Sequence, residues 1–121
     1  FRGWYRNPSR ASKQSLAIPF QDGAGQWQAL RPDFVFFHAN QDGTIRADIV
    51  DPHGTHLADA LPKLRGLAVY AQAHGDAFGR IEAVAEIDGQ LRVLDMKNDV
   101  VRAGVHAAQD AESLYKAAPA Y

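Results

Sequence analysis

Apolar residues along the chain come in short runs separated by turn formers, and the spacing of those runs alternates between two periods. Residues 1–7, with Trp4 and Tyr5, read as a short strand ended by Asn7-Pro8-Ser9, because proline fixes its own φ and pushes the preceding residue out of the helical region. Residues 15–20 form a second short strand, closed by the turn formers Asp22-Gly23-Ala24-Gly25. The run Pro32-Asp33-Phe34-Val35-Phe36-Phe37 is nearly all apolar, as a strand covered on both faces should be. Asn40-Gln41-Asp42-Gly43 supplies a hairpin turn, and the return strand over 45–50 runs into Asp51-Pro52-His53-Gly54. Each strand of this hairpin carries an aspartate near one end.

The period then lengthens. Leu57, Leu61, Leu64, Leu67, Ala68 and Ala71 recur at three- and four-residue steps, which predicts a helix to about His74. Pro62 is compatible with its first turn, and Gly75 is its stop. Residues 81–87 and 91–94 predict a β-hairpin across Asp88-Gly89. Asn98 or Asp99 then caps one last helix whose apolar side is Val101, Val105, Ala108, Ala111, Leu114 and Tyr115. Strands, helix, strands, helix is the order of an α/β domain with a central mixed sheet flanked by helices.

Composition narrows the class. The chain has 121 residues, 46% of them hydrophobic, enough for one core and one domain over 1–121. It begins at Phe1, inside a predicted strand, so we expect a fragment of a larger polypeptide. There are no cysteines; this excludes a disulfide scaffold, thiolate zinc and a cysteine nucleophile, and suits a reducing, cytoplasmic compartment. Net charge is -1, whereas a free-standing nucleic-acid binder carries a positive excess. Arg2, Arg6, Arg10 and Lys13 nevertheless form a basic stretch with no acidic residue among them, and Arg6 and Arg10 are the candidates for phosphate contact.

Asp33 and Asp51 are the candidate chemical centre. A hairpin brings two such side chains to one sheet edge, where carboxylate oxygens suit Mg²⁺ or Mn²⁺. His53 lies two residues beyond Asp51 and, in extended chain, on the same face; the carbonyl of Pro52 is a further oxygen ligand. The competing reading is that both aspartates are ordinary turn residues.

Trp4-Tyr5-Arg6-Asn7-Pro8, Leu16-Ala17-Ile18-Pro19-Phe20 and Leu30-Arg31-Pro32-Asp33-Phe34, in that order, resemble the nuclease end of type III restriction Res subunits and related DEAD/DEAH helicases, of the PD-(D/E)XK superfamily. That motif is a Pro-Asp at one strand, then an acidic residue, any residue and a lysine after the next. Pro32-Asp33 matches its first part, and Asp51-Pro52-His53 stands in the place of the second. The resemblance implies a restriction-endonuclease-like fold and a Mg²⁺- or Mn²⁺-dependent DNA endonuclease module. In it Asp33 and Asp51 hold the metal, with the Pro52 carbonyl beside them, and the candidate catalytic residues of this chain are Asp33, Asp51, His53 and Lys63. It also implies motor domains on the same polypeptide and a defence partner such as a methyltransferase.

The departure from the motif is His53. A lysine there is a constant cation, whereas a histidine with a pKa near 6.5 is mostly neutral at pH 7. Lys63 and Arg65, on the following helix, are candidates for a migrated charge, against a solvated helix face. Asp95-Met96-Lys97 spells the second half of the motif literally but comes after the wrong strand; it reads as a strand-end turn, with Lys97 available if its strand lies beside the site. His56 and Asp59 complete a histidine string after His53 that reads more simply as a helix entry. His38 reads as a hairpin residue, and His74 and His106 as surface or helix-end histidines. Trp4, Tyr5, Trp27, Tyr70 and Phe78 are expected in the core rather than stacked on bases, and Gly23-Ala24-Gly25 lacks the lysine of a phosphate loop. Two functions remain: a tethered metal-dependent endonuclease, or a lapsed nuclease-like domain that binds DNA or packs against its motor.

Overall fold

In the computed structural model, residues 3–6, 16–39, 41–53 and 60–120 are described, without the side chains of residues 3–6 and His38. Five strands make the main sheet. β1 (Gly3–Arg6), β4 (Phe34–Ala39), β5 (Ile45–Pro52), β6 (Phe78–Ile87) and β7 (Gln90–Asp95) lie in the order β1-β4-β5-β6-β7. Every neighbouring pair is antiparallel except β5 and β6, which are parallel. That pair is joined by the helix α1 (Ala60–His74), the long crossover a parallel pairing requires. The mixed α/β architecture expected from the sequence is present.

A second ribbon, β2 (Ile18–Gln21) with β3 (Trp27–Leu30), pairs only with itself and packs on α1. β3 was not among the predicted strands; its burial is limited to Leu30, and Trp27 is 69% exposed. The core expectation for Trp27 is therefore corrected. Its indole rims an open groove of about 380 Å³ with Phe20, Pro62, Val69 and His106. Tyr70 and Phe78 do pack together, with ring centroids 5.9 Å apart, and His74 closes on Tyr70 at the end of α1.

Alternation along the strands decides what faces the core. Ile49, Ile81, Ala83, Ala85, Ile87 and Leu94 point inward and join Leu64, Leu67, Ala68 and Ala71 of α1 in one core. Gly66 sits where α1 crosses the ribbon; a Cβ built there would lie 2.3 Å from the Phe20 Cβ. No other residue permits so close an approach.

The predicted last helix is two helices. α2 (Asp99–Ala107) begins at Asn98, whose side chain accepts from the N–H groups of Val100 and Val101. It ends at Ala108, which is extended at ψ 151°. Arg65 donates to the carbonyls of Val105 and Ala108, occupying oxygens that a continuing helix would use itself. Asp110 then caps α3 (Ala111–Ala117) by accepting from the Ser113 N–H. No described helix is long and apolar enough to cross a membrane.

Candidate functional site

The β4–β5 hairpin does bring the two aspartates together. Phe34 pairs with Val50 and Val35 with Ile49, so the positions of Asp33 and Asp51 continue the ladder on the face shared by Val35 and Ile49. The Asp33 N–H donates to Asp51 Oδ1 at 3.0 Å. The other carboxylate oxygen, Oδ2, stands 2.9 Å from His53 Nε2. The alignment of that second approach falls short of a hydrogen bond, so both atoms are buried without a directed partner. His53 is itself fixed by its N–H, which donates to the Val84 carbonyl at 2.8 Å.

Asp51 is only 3% exposed, and among the described residues it is the one charged side chain in the buried class. Its row across the sheet is Asp51, Ala83 and Leu94, all buried. Behind β6 and β7 lies α3, which carries Tyr115. Tyr115 is 0% exposed, and its hydroxyl has no hydrogen-bond partner in the structure. Burial pushes the phenol well above its ordinary range, and the negative charge of Asp51 pushes it further. The sequence placed Tyr115 on an apolar helix side and gave it no polar role. The available signal was chemical: a tyrosine where phenylalanine would fill the same space brings a hydroxyl that needs a partner.

This donor set does not make an open cation site. A divalent metal needs several oxygens free to turn toward it, yet one Asp51 oxygen holds a main-chain N–H and the other is closed in against an imidazole. Among the described residues no three histidine or acidic side chains are grouped to hold a metal. The carbonyl-bearing residue Pro52 is the last of β5 and is exposed.

The remaining candidates lie elsewhere or are engaged. Lys63 is half-buried in the first turns of α1. Arg65 is committed to the end of α2, as above, which removes it as a migrated charge. Lys97 donates its ammonium to the Phe78 carbonyl at 2.8 Å. Phe78 begins β6, whereas Asp51 is level with Ala83, about 16 Å farther along at 3.3 Å per residue. Lys97 is therefore remote from Asp51. Asp95 pairs with Glu82 and is exposed on the sheet face opposite Asp51, in keeping with a strand-end turn; it accepts from the Lys97 N–H. Arg6 lies in β1 with its side chain undescribed. Arg10, His56 and Asp59 fall outside the described residues.

Comparison with known proteins gives kinship. Protein YagJ of Escherichia coli (strain K12) is 54% identical over 115 residues, covering 95% of this chain and 46% of that protein. The chain thus spans about half the length of the curated relative it matches. No solved structure matches it. The YagJ family matches residues 1–121 throughout, and the chain belongs to that family.

Proposed function

We propose that this chain is a nuclease-like domain that does not cut, and that it contributes DNA contact to a larger polypeptide through Arg6 and Arg10. The observation that carries the non-cutting part is the state of Asp51: buried, its Oδ1 taken by the Asp33 N–H and its Oδ2 against His53. A catalytic carboxylate must meet metal, water and phosphate; this one meets the inside of the protein. Histidine in the lysine position removes the constant cation as well. The DNA part rests on the uncompensated basic stretch from Arg2 to Lys13. With a net charge of -1, binding is weak and falls with salt as counterions are released.

A metal-dependent endonuclease is the second reading. It is favoured by one observation, that Asp33, Asp51 and His53 do converge on one corner of the sheet. In that case Asp33, Asp51 and the Pro52 carbonyl would take Mg²⁺ or Mn²⁺ only after His53 moves.

The test uses the full-length protein with supercoiled plasmid and Mg²⁺ or Mn²⁺. The expected result is no cleavage by the wild type and measurable retardation of DNA that weakens when Arg6 and Arg10 become glutamate. Metal-dependent nicking that Asp33→Ala abolishes would establish the second reading instead.

A further inference from the structure

We propose that the groove beside Trp27 is an intrachain docking site, filled by an apolar segment that lies outside residues 1–121 of the same, longer polypeptide. This docking requires the larger polypeptide of the function proposed above, but neither DNA contact nor cleavage.

Trp27 is 69% exposed, and Val69, which lines the same groove, is 56% exposed. A lone exposed apolar side chain is ordinary, but two beside one concave surface mark a binding face. The indole is also carried on a fixed frame. Trp27 follows a turn knitted together by Asp22, whose N–H donates to the Gln26 carbonyl at 2.9 Å and whose carbonyl accepts from the Gly25 N–H at 3.0 Å. One Asp22 carboxylate oxygen accepts from the N–H groups of Ala24 and Gln26, and the other from the Gln28 side chain. β3 then pairs with β2, and Gly66 seats that ribbon on α1 through Phe20. The backbone beneath the indole has little freedom left to lose on contact, which favours an aromatic binding anchor.

The lining selects the kind of occupant. Asp22 is engaged in its own turn, and Arg65 at the carbonyls of Val105 and Ala108. What remains for a ligand is mainly the indole, Val69 and the rings of Pro19 and Pro62, a surface suited to aliphatic and aromatic side chains rather than phosphate. Chain length points to the source. The 115 aligned residues are only 46% of the Escherichia coli relative, so more than half of that polypeptide lies outside the match and has its own surface to pack. A segment on the same chain meets the groove at high effective concentration, whereas a second copy must overcome dilution.

The test puts p-benzoylphenylalanine in place of Trp27 in the full-length protein. Irradiation should join position 27 to a peptide outside residues 1–121, in a product of monomer mass on a denaturing gel and in a yield unchanged by dilution. Covalent dimers overturn the proposal by making the occupant a second copy. Links confined to residues 1–121, or no links, overturn it as well. The unaltered full-length protein gives a second reading through carbene labelling. Trp27 should label several-fold more slowly in the folded protein than in urea, while Val100, 80% exposed, changes little. Equal labelling of Trp27 in the two states overturns the docking even if the photo-probe variant fails to fold. Neither measurement contains DNA, so a failure here is distinct from a failure of DNA contact.

Discussion

Replacing Asp51 by alanine strands the Asp33 N–H and leaves His53 facing an apolar gap. We expect Asp51→Ala to lower unfolding free energy by about 1–3 kcal/mol, the cost of an unsatisfied buried group, read as a lower urea midpoint at constant slope. A midpoint unchanged from wild type would mean that the carboxylate is solvated and free for other work. His53→Lys tests the same corner from the other side. If this is a lapsed nuclease, the lysine should restore some metal-dependent nicking of plasmid; if lysine merely buries a charge, stability drops and nothing is cut. The juxtaposition of Asp33 and Asp51 was legible in the sequence, because a hairpin with a recognisable turn fixes its own register. The burial of Asp51 was not. Burial depends on elements that follow in the chain, among them β6, whose Ala83 pairs with Asp51, and no local pattern around Asp51 reports what they lay beside it.

Elements whose ends are set by their own side chains were the readable ones. The β6–β7 hairpin turns at Asp88 and Gly89, both with positive φ at 52° and 76°, the combination a two-residue turn demands. Asn98 caps α2 as its position suggested; Asn98→Ala should cost about 1 kcal/mol, measured by thermal or urea unfolding, and no loss would show that α2 is held by tertiary packing alone. The division of the last helix was not readable, since its apolar spacing runs on through the break. What divides it is Arg65, forty residues earlier in the chain, whose guanidinium takes the Val105 and Ala108 carbonyls. Gly66 is a similar case. As an isolated glycine in a helical pattern it predicts only a weaker helix, yet in the fold it is what lets Phe20 of the ribbon touch α1. Gly66→Ala should raise intrinsic helix propensity and still destabilise the domain by about 1–3 kcal/mol through overpacking; a stabilised variant would mean that the ribbon yields readily.

Across the whole molecule, positive charge is less available than its count implies. Arg65, Arg92 and Arg102 direct guanidinium groups to main-chain carbonyls, which would keep binding weak if the domain contacts DNA as proposed. Acid should loosen the surface turns first. The N–H of Gln26, with the Gln28 side chain, holds Asp22 below its ordinary range. The hydroxyl and N–H of Thr44 do the same for Asp42, and the Ser113 N–H for Asp110. Groups lowered on folding stabilise the native state above their unfolded pKa and lose that contribution as pH falls through the folded value. The urea midpoint should therefore decline below about pH 4, and Asp110→Asn, which keeps the cap but not the charge, should flatten the decline; a slope unchanged by that substitution would assign acid sensitivity elsewhere.

The parallel pairing of β5 with β6 also orders events at the ribosome. Ala83, the partner of Asp51, leaves the exit tunnel some thirty residues behind it, a delay of roughly 2–6 seconds at typical elongation rates. Through that interval the β4–β5 hairpin can close, but the far edge of β5 has no strand to pair with. The edge beside the corner that looks most like an active centre thus stays open until β6 arrives.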